Sequence, residues 1–101
     1  MTYNKLVRDR IPEMIRQNGE TPVVRVLGDE EYRHCLERKL DEEVAEFHRD
    51  RNLEELADIL EVVYALAESL GADREELLEV YRRKNQQRGG FGERYFLISK
   101  A

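Results

Sequence analysis

The middle of the chain places its apolar residues with the period of an α-helix, and this pattern constrains the fold more than any other feature. At about 100° per residue, one stripe of the 30–49 segment is formed by apolar side chains. These are Tyr32, Leu36, Leu40, Val44 and Phe47. The 53–70 segment carries an apolar arc that covers more than half of its circumference. Two such helices with a short connection are expected to pack as an antiparallel hairpin.

Start and stop signals predict two further helices, which makes about four in total. Asp9 is the expected N-cap of a short first helix, and Asp29 is the expected N-cap of the first long helix. Asp73 and Glu76 have the spacing of a capping box for the last helix, which is expected to end near Gly89. The expected fold class is therefore mainly all-α, a helical bundle.

Two short segments have β propensity and predict a minor β-like patch beside the helices. Residues 23–27 form a Val-rich run, and residues 95–99 are rich in aromatic and aliphatic side chains. We expect the two segments to pair. A length of 101 residues predicts one domain, residues 1–101, with one modest core.

Composition excludes several classes of protein. With 39% charged and 41% hydrophobic residues, the sequence is typical of a soluble domain, and a net charge of −5 disfavours nucleic acid or an anionic membrane as a partner. The single Cys35 rules out an intrachain disulfide, and with only two histidines a zinc site has little support. Since no targeting segment or long apolar run is recognised, we expect a cytoplasmic protein.

Four acidic residues lie where the two long helices should be apolar. Glu43 falls inside the stripe of the first helix, and Glu46 lies at its border. In the second helix Glu55 projects into the apolar arc, and Asp58 lies at the edge of that arc. Residues three apart are neighbours on a helix, so each pair can contact one ligand.

Four clustered carboxylates repel one another, and burying an unpaired charge costs several kcal/mol. The cluster therefore needs a cation, protonation or basic partners. Oxygen ligands of this kind suit Mg²⁺ or Mn²⁺. The alternative is a structural ion-pair network, in which Lys39 and nearby arginines neutralise the acids.

The last helix changes from apolar to cationic along one face. Its stripe of leucine, valine and tyrosine side chains continues into Lys84, Asn85 and Arg88. Together with a metal, these groups would bind the phosphates of a nucleotide. Lys5 and Arg8 could add to the same cationic wall.

Three ordered motifs carry a family resemblance that spans almost the whole chain: the opening YNKLVRDRIPEMI, the pair KLDEEVAEF and EELADILEV, and the ending KNQQRGGFGERYFL. The sequence resembles the MazG-like all-α nucleoside triphosphate pyrophosphohydrolase superfamily. Within it, the small phosphoribosyl-ATP pyrophosphohydrolase-like proteins are the most similar group. The segment between Glu46 and Glu55 is shorter than in many MazG proteins, so base recognition cannot be carried over.

The resemblance implies an enzyme that cleaves between the α and β phosphates of a nucleotide with Mg²⁺, or Mn²⁺, and releases pyrophosphate. The acidic signature of the family corresponds here to Glu42, Glu43, Glu46, Glu55 and Asp58. We expect Glu43, Glu46, Glu55 and Asp58 as metal ligands, with Glu42 and Glu43 as the catalytic acids. The expected phosphate-binding residues are Lys39, Lys84, Asn85, Arg88, Lys5 and Arg8.

The wide apolar arc and the resemblance both predict a homo-oligomer, a dimer or a higher assembly. The expected role is house-cleaning of surplus or non-canonical nucleotides. Three alternatives remain: a non-catalytic helical interaction module, a nucleotide-binding regulator without turnover, and the phosphoribosyl-ATP pyrophosphohydrolase of histidine biosynthesis.

Overall fold

The computed structural model describes residues 2–101 and confirms the all-α prediction. Four helices follow one another along the chain: α1 (Ile11–Gln17), α2 (Asp29–Asp50), α3 (Leu53–Ser69) and α4 (Arg74–Arg88). The main packing is between α2 and α3, and α4 packs against α3. None of the helices described in residues 2–101 is both long and apolar enough to cross a membrane.

The hairpin of α2 and α3 is closed by only two residues. Arg51 ends α2 in the left-handed conformation, with φ of 50°, and its N–H donates to the Phe47 carbonyl. Asn52 then caps α3, because its side chain accepts a 3.0 Å hydrogen bond from the Glu55 N–H. This tight connection fixes the register in which the two helices face each other.

The predicted helix ends are confirmed at α4 and corrected at two other places. The capping box of Asp73 and Glu76 forms, and Gly89 ends α4 with φ of 77°, a backbone conformation that favours glycine. Asp29 is the first residue of α2 rather than its cap, which is Gly28. Asp9 does not cap α1 either, since Arg10 holds that position without a side-chain hydrogen bond.

The predicted β-like patch is wrong. Residues 23–27 and 95–99 contain no strand, and their side chains are largely exposed, with Val26 at 97% and Phe96 at 88%. A pair of short strands is only marginally stable in water unless a third strand or a helix covers it. Propensity alone therefore did not determine the structure of these segments.

Few side chains are buried in the lone chain. Within residues 2–101 the buried apolar residues are Leu36, Val62 and Ala67, and none of them is completely shielded from solvent. Much of the wide apolar arc of α3 faces solvent instead, and Leu53 is 80% exposed and Leu60 49%.

Candidate metal centre

The four acids that the helical spacing singled out lie together at one face of the α2–α3 hairpin. One carboxylate oxygen from each of Glu43, Glu46, Glu55 and Asp58 lies within 4.8 Å of the others. Each helix contributes a pair three residues apart, and the antiparallel packing turns the two pairs towards each other. Such a group of oxygens has a size and composition that could hold a hard divalent cation.

Glu43 is the most deeply placed of the four carboxylates. The residue is only 6% exposed, and its Oε1 lies 3.3 Å from Nζ of Lys39. Its Oε2 is buried and has no hydrogen-bond partner among the described residues, and the same holds for Oε2 of Glu55. Unsatisfied buried oxygens are rare and costly, so these two atoms mark a position between α2 and α3 where a cation could be held.

The electrostatics of the cluster lead to the same conclusion. Burial raises the pKa of Glu43, and the nearby Glu46 raises it further, while Lys39 opposes the shift. Burial also raises the pKa of Glu55, with added contributions from the negative charges of Glu46 and Asp58. The positive charge of the surrounding residues is thus too small to offset the cost of ionising Glu43 and Glu55.

These shifts predict a pH dependence for the metal-free protein. A carboxyl whose pKa is raised by folding keeps its proton in the native state at pH values where the unfolded state loses it. Stability from this source is therefore complete below the ordinary glutamate pKa of about 4.5 and decreases as pH rises through the raised pKa values of Glu43 and Glu55. We expect the melting temperature in EDTA, measured relative to a Glu43→Gln/Glu55→Gln variant, to fall as the pH rises above 4.5. A constant difference would contradict the electrostatic account.

Glu42 lies beside the cluster rather than in it. Its Oε1 is 3.6 Å from Nζ of Lys39 and 3.8 Å from Nζ of Lys5. Lys39 therefore links Glu42 to Glu43 within one turn of α2. Of the two predicted catalytic acids, Glu43 belongs to the group of four and Glu42 flanks it.

The segment before α1 lies against the same face of the hairpin. Nη1 of Arg8 donates a 3.2 Å hydrogen bond to Oδ1 of Asp58, and its Nη2 lies 3.9 Å from Oε2 of Glu61. Lys5 forms an ion pair with Glu42, so the opening segment of the chain places two cations, Lys5 and Arg8, near the cluster. Both were predicted as phosphate-binding residues, and their contacts with these particular acids are new.

A cavity of about 710 Å³ separates this N-terminal segment from the hairpin. Glu43, Asp58, Lys39 and Arg8 all contribute to its wall. The rest of the lining includes apolar and aromatic side chains, among them Leu6, Ile11, Met14, Tyr32, Val62 and Tyr64. This open cleft has the volume to accept a small molecule.

Sequence reasoning missed most of this lining. Tyr64 and Arg74 form part of it, with the Arg74 guanidinium 4.0 Å from the centre of the Tyr64 ring. Such a pair is a favourable cation–π contact, but neither residue belongs to a recognisable motif. No pattern in the sequence located the cavity, and the YNKLVRD opening left undecided whether its residues contribute to a site or only to packing.

The three polar residues at the end of α4 lie outside the cavity and the acidic cluster in the isolated chain. Lys84, Asn85 and Arg88 are exposed rather than turned inward as their helical positions suggested. Across residues 2–101, none of them lines the cavity or forms an ion pair with the acids. Their role towards phosphate stays a prediction.

Comparison with known proteins adds little on function. An uncharacterised protein of Mycolicibacterium smegmatis (strain ATCC 700084 / mc(2)155) is 59% identical over 54 residues, which cover 50% of this chain and 55% of that protein. The match therefore spans only about half the length of that relative. No family model and no solved structure matches the chain.

Proposed function

We propose that this protein is a divalent-cation-dependent nucleotide pyrophosphohydrolase, which converts a nucleoside triphosphate or a related nucleotide and water into a monophosphate and pyrophosphate. The observation that carries the proposal is the convergence of four carboxylates with buried, unsatisfied oxygens on Glu43 and Glu55. A purely structural cluster would be expected to satisfy those oxygens internally. The motif resemblance supplies the reaction class.

The donor set fits Mg²⁺, or Mn²⁺, because it consists of oxygen atoms alone. Such an ion, when bound, would neutralise phosphate charge and favour ionisation of a water molecule. Glu43, Glu46, Glu55 and Asp58 would hold it. Glu42 or Glu43 would accept the proton of the attacking water, since both are acids beside the position where phosphate would meet the cluster.

The cavity suggests how a nucleotide would be oriented. The cluster and the cations Lys39 and Arg8 line the same cavity as the apolar and aromatic groups. A nucleotide has the corresponding division, with charged phosphates at one end and a flat aromatic base, whose faces can stack on aromatic side chains, at the other. We therefore place the phosphates near Lys39 and Arg8 and the nucleoside against Tyr32 and Tyr64. The physiological role we propose, from the resemblance, is removal of surplus or non-canonical nucleotides.

The remaining predicted phosphate ligands require a second copy of the chain. Lys84, Asn85 and Arg88 do not meet the cavity within one chain. If they bind phosphate, they do so across an interface of a homo-oligomer. The proposed active form is therefore an oligomer.

Arg8 has two opposing roles in this proposal, which gives a specific prediction. Its guanidinium forms an ion pair with Asp58 in the metal-free protein and would thus compete with the cation for that carboxylate. We expect Arg8→Gln to strengthen Mn²⁺ binding severalfold, measured by isothermal titration calorimetry, because an exposed ion pair contributes up to about 1 kcal/mol. The same variant should raise KM for the nucleotide, because one phosphate contact is lost. Weaker Mn²⁺ binding in the variant would show that Arg8 supports the metal centre instead.

The proposed reaction is tested by incubating the protein with Mg²⁺ and a panel of standard, deoxy and damaged nucleoside triphosphates, together with phosphoribosyl-ATP. The products are separated so that pyrophosphate is distinguished from orthophosphate. Monophosphate and pyrophosphate in equal amounts are expected for at least one substrate. Release of orthophosphate alone, or no product from any substrate, would contradict the proposed reaction.

The second candidate is a non-catalytic helical module in which the acids take part only in ion pairs. The contacts of Lys39 with Glu43 and of Arg8 with Asp58 favour it, since they neutralise part of the cluster. This candidate predicts that Mg²⁺ leaves the melting temperature unchanged. A site that binds the ion only when folded predicts stabilisation by mass action.

A further inference from the structure

Residues 91–98, which follow α4, carry several large exposed apolar side chains, and we call this segment the C-terminal arm. Its large side chains are almost entirely in solvent. The exposed fractions are 97% for Phe91, 90% for Tyr95, 88% for Phe96, 78% for Leu97 and 89% for Ile98. Single exposed apolar residues are ordinary on a protein surface, but a contiguous run of this size marks an interaction site.

The accessible surface area of the described chain is larger than that expected for a folded monomer of its mass. A folded monomer of 12.0 kDa has an accessible surface of roughly 6,000 Å². The described chain exposes 9489 Å², an excess of about 3,500 Å². Interfaces of obligate homodimers bury about 2,000–5,000 Å² in total, which is about 1,000–2,500 Å² per chain, so the excess on one chain is large enough to be covered by a partner of protein dimensions.

A matching acceptor surface lies on the same chain. The outer face of α3 exposes Leu53 (80%), Leu56 (44%) and Leu60 (49%), and the face of α4 exposes Val80 (45%) and Tyr81 (60%). In a two-fold symmetric pair of identical chains, each arm can cover the apolar face of the other copy. One symmetric arrangement then buries both the arm and the apolar face of each chain. The interface would be rich in Leu, Phe and Tyr, as homodimer interfaces are.

We propose that the C-terminal arm is exchanged between two copies of this chain and packs on the exposed apolar face of α3 in the partner. The proposal does not depend on the proposed catalytic activity. It gives the segment after α4 a structural purpose and explains why the lone chain has so small a core.

The first test is sedimentation velocity of the full chain from 1 to 100 µM. We expect a dimer for the parent, and a dissociation constant at least about 30-fold higher for Phe96→Ser/Ile98→Ser, the scale of losing interface hot spots. The control is Glu93→Ser/Lys100→Ser, which changes two exposed charged residues on either side of Tyr95–Ile98 and should leave the dimer intact. A monomeric parent at 100 µM, or an equal dissociation constant for both double variants, would overturn the proposal.

The second test uses the parent protein and so remains decisive if the arm variant fails to fold. Isotope-labelled and unlabelled chains are mixed, and filtered NOE spectra report contacts between different copies. We expect NOEs from the Phe96 ring and the Ile98 methyl groups to the methyl groups of Leu56 or Leu60 in the other copy. Arm contacts confined to the same chain would overturn the exchange.

Discussion

Glu43→Gln is expected to reduce nucleotide hydrolysis by about 100-fold or more without reducing stability. The amide has nearly the same size as the carboxylate, so packing in the 6%-exposed site is preserved. What is lost is one anionic ligand and one candidate proton acceptor. Because burial and Glu46 raise the pKa of Glu43, removing its charge relieves repulsion in the metal-free cluster. The variant should therefore melt at the same temperature as the parent in EDTA, or at a higher one.

The combination of lost activity and retained stability separates an active-site role from a structural one. The measurements are pyrophosphate release under saturating Mg²⁺ and thermal unfolding in EDTA. Glu37→Gln is the matched control, since it makes the same change at an exposed position of α2. If Glu43→Gln kept the parental rate, or if it lost activity only because it unfolded, Glu43 would not be a functional ligand.

Lys39→Met is expected to destabilise the metal-free protein by about 2 kcal/mol, which is about 10 °C in melting temperature for a chain of this length. Lys39 is the cation closest to the buried carboxylate, with its side chain 16% exposed and Nζ at 3.3 Å from Oε1 of Glu43. Removing one partner of a buried pair leaves the other charge uncompensated. Protonation of Glu43 limits the loss, because its pKa is already raised.

Mg²⁺ should restore much of that lost stability, because the ion would supply the positive charge that the lysine provided. The measurement is the melting temperature of Lys39→Met with and without Mg²⁺. Arg38→Met serves as the control, as it removes the same charge from the neighbouring exposed position. Equal melting temperatures for the two variants in EDTA would show that the Lys39 contact with Glu43 contributes little.

The parts of the fold that depend on local sequence were predictable. Helical periodicity fixes the direction of each side chain to within part of a turn. The sequence alone therefore identifies Glu43 and Glu55 as acidic residues within apolar helix faces. The caps at Asn52 and Asp73 depend on residues only three positions apart. Once the short connection made α2 and α3 antiparallel, the meeting of the four acids followed.

The parts that depend on distant residues were not predictable. The contact between Arg8 and Asp58 joins positions 50 residues apart, and no local pattern selects Asp58 as the partner of that arginine. The β prediction for residues 23–27 failed for the same reason, because a strand requires a pairing partner that propensity does not identify. The exposure of Lys84 depends on how α4 packs against α3, which helical phase alone does not determine.

The central claim is that the four carboxylates form a divalent-cation site, and Mn²⁺ binding followed by electron paramagnetic resonance tests it most directly. The parent is compared with Glu43→Gln/Glu55→Gln, which changes the two residues with unsatisfied buried oxygens, and with Glu37→Gln/Glu54→Gln as an exposed control of equal charge. We predict saturable binding in the parent and the control, and binding at least about tenfold weaker in the site variant. Equal affinity in all three proteins, or no binding to the parent, would contradict the account.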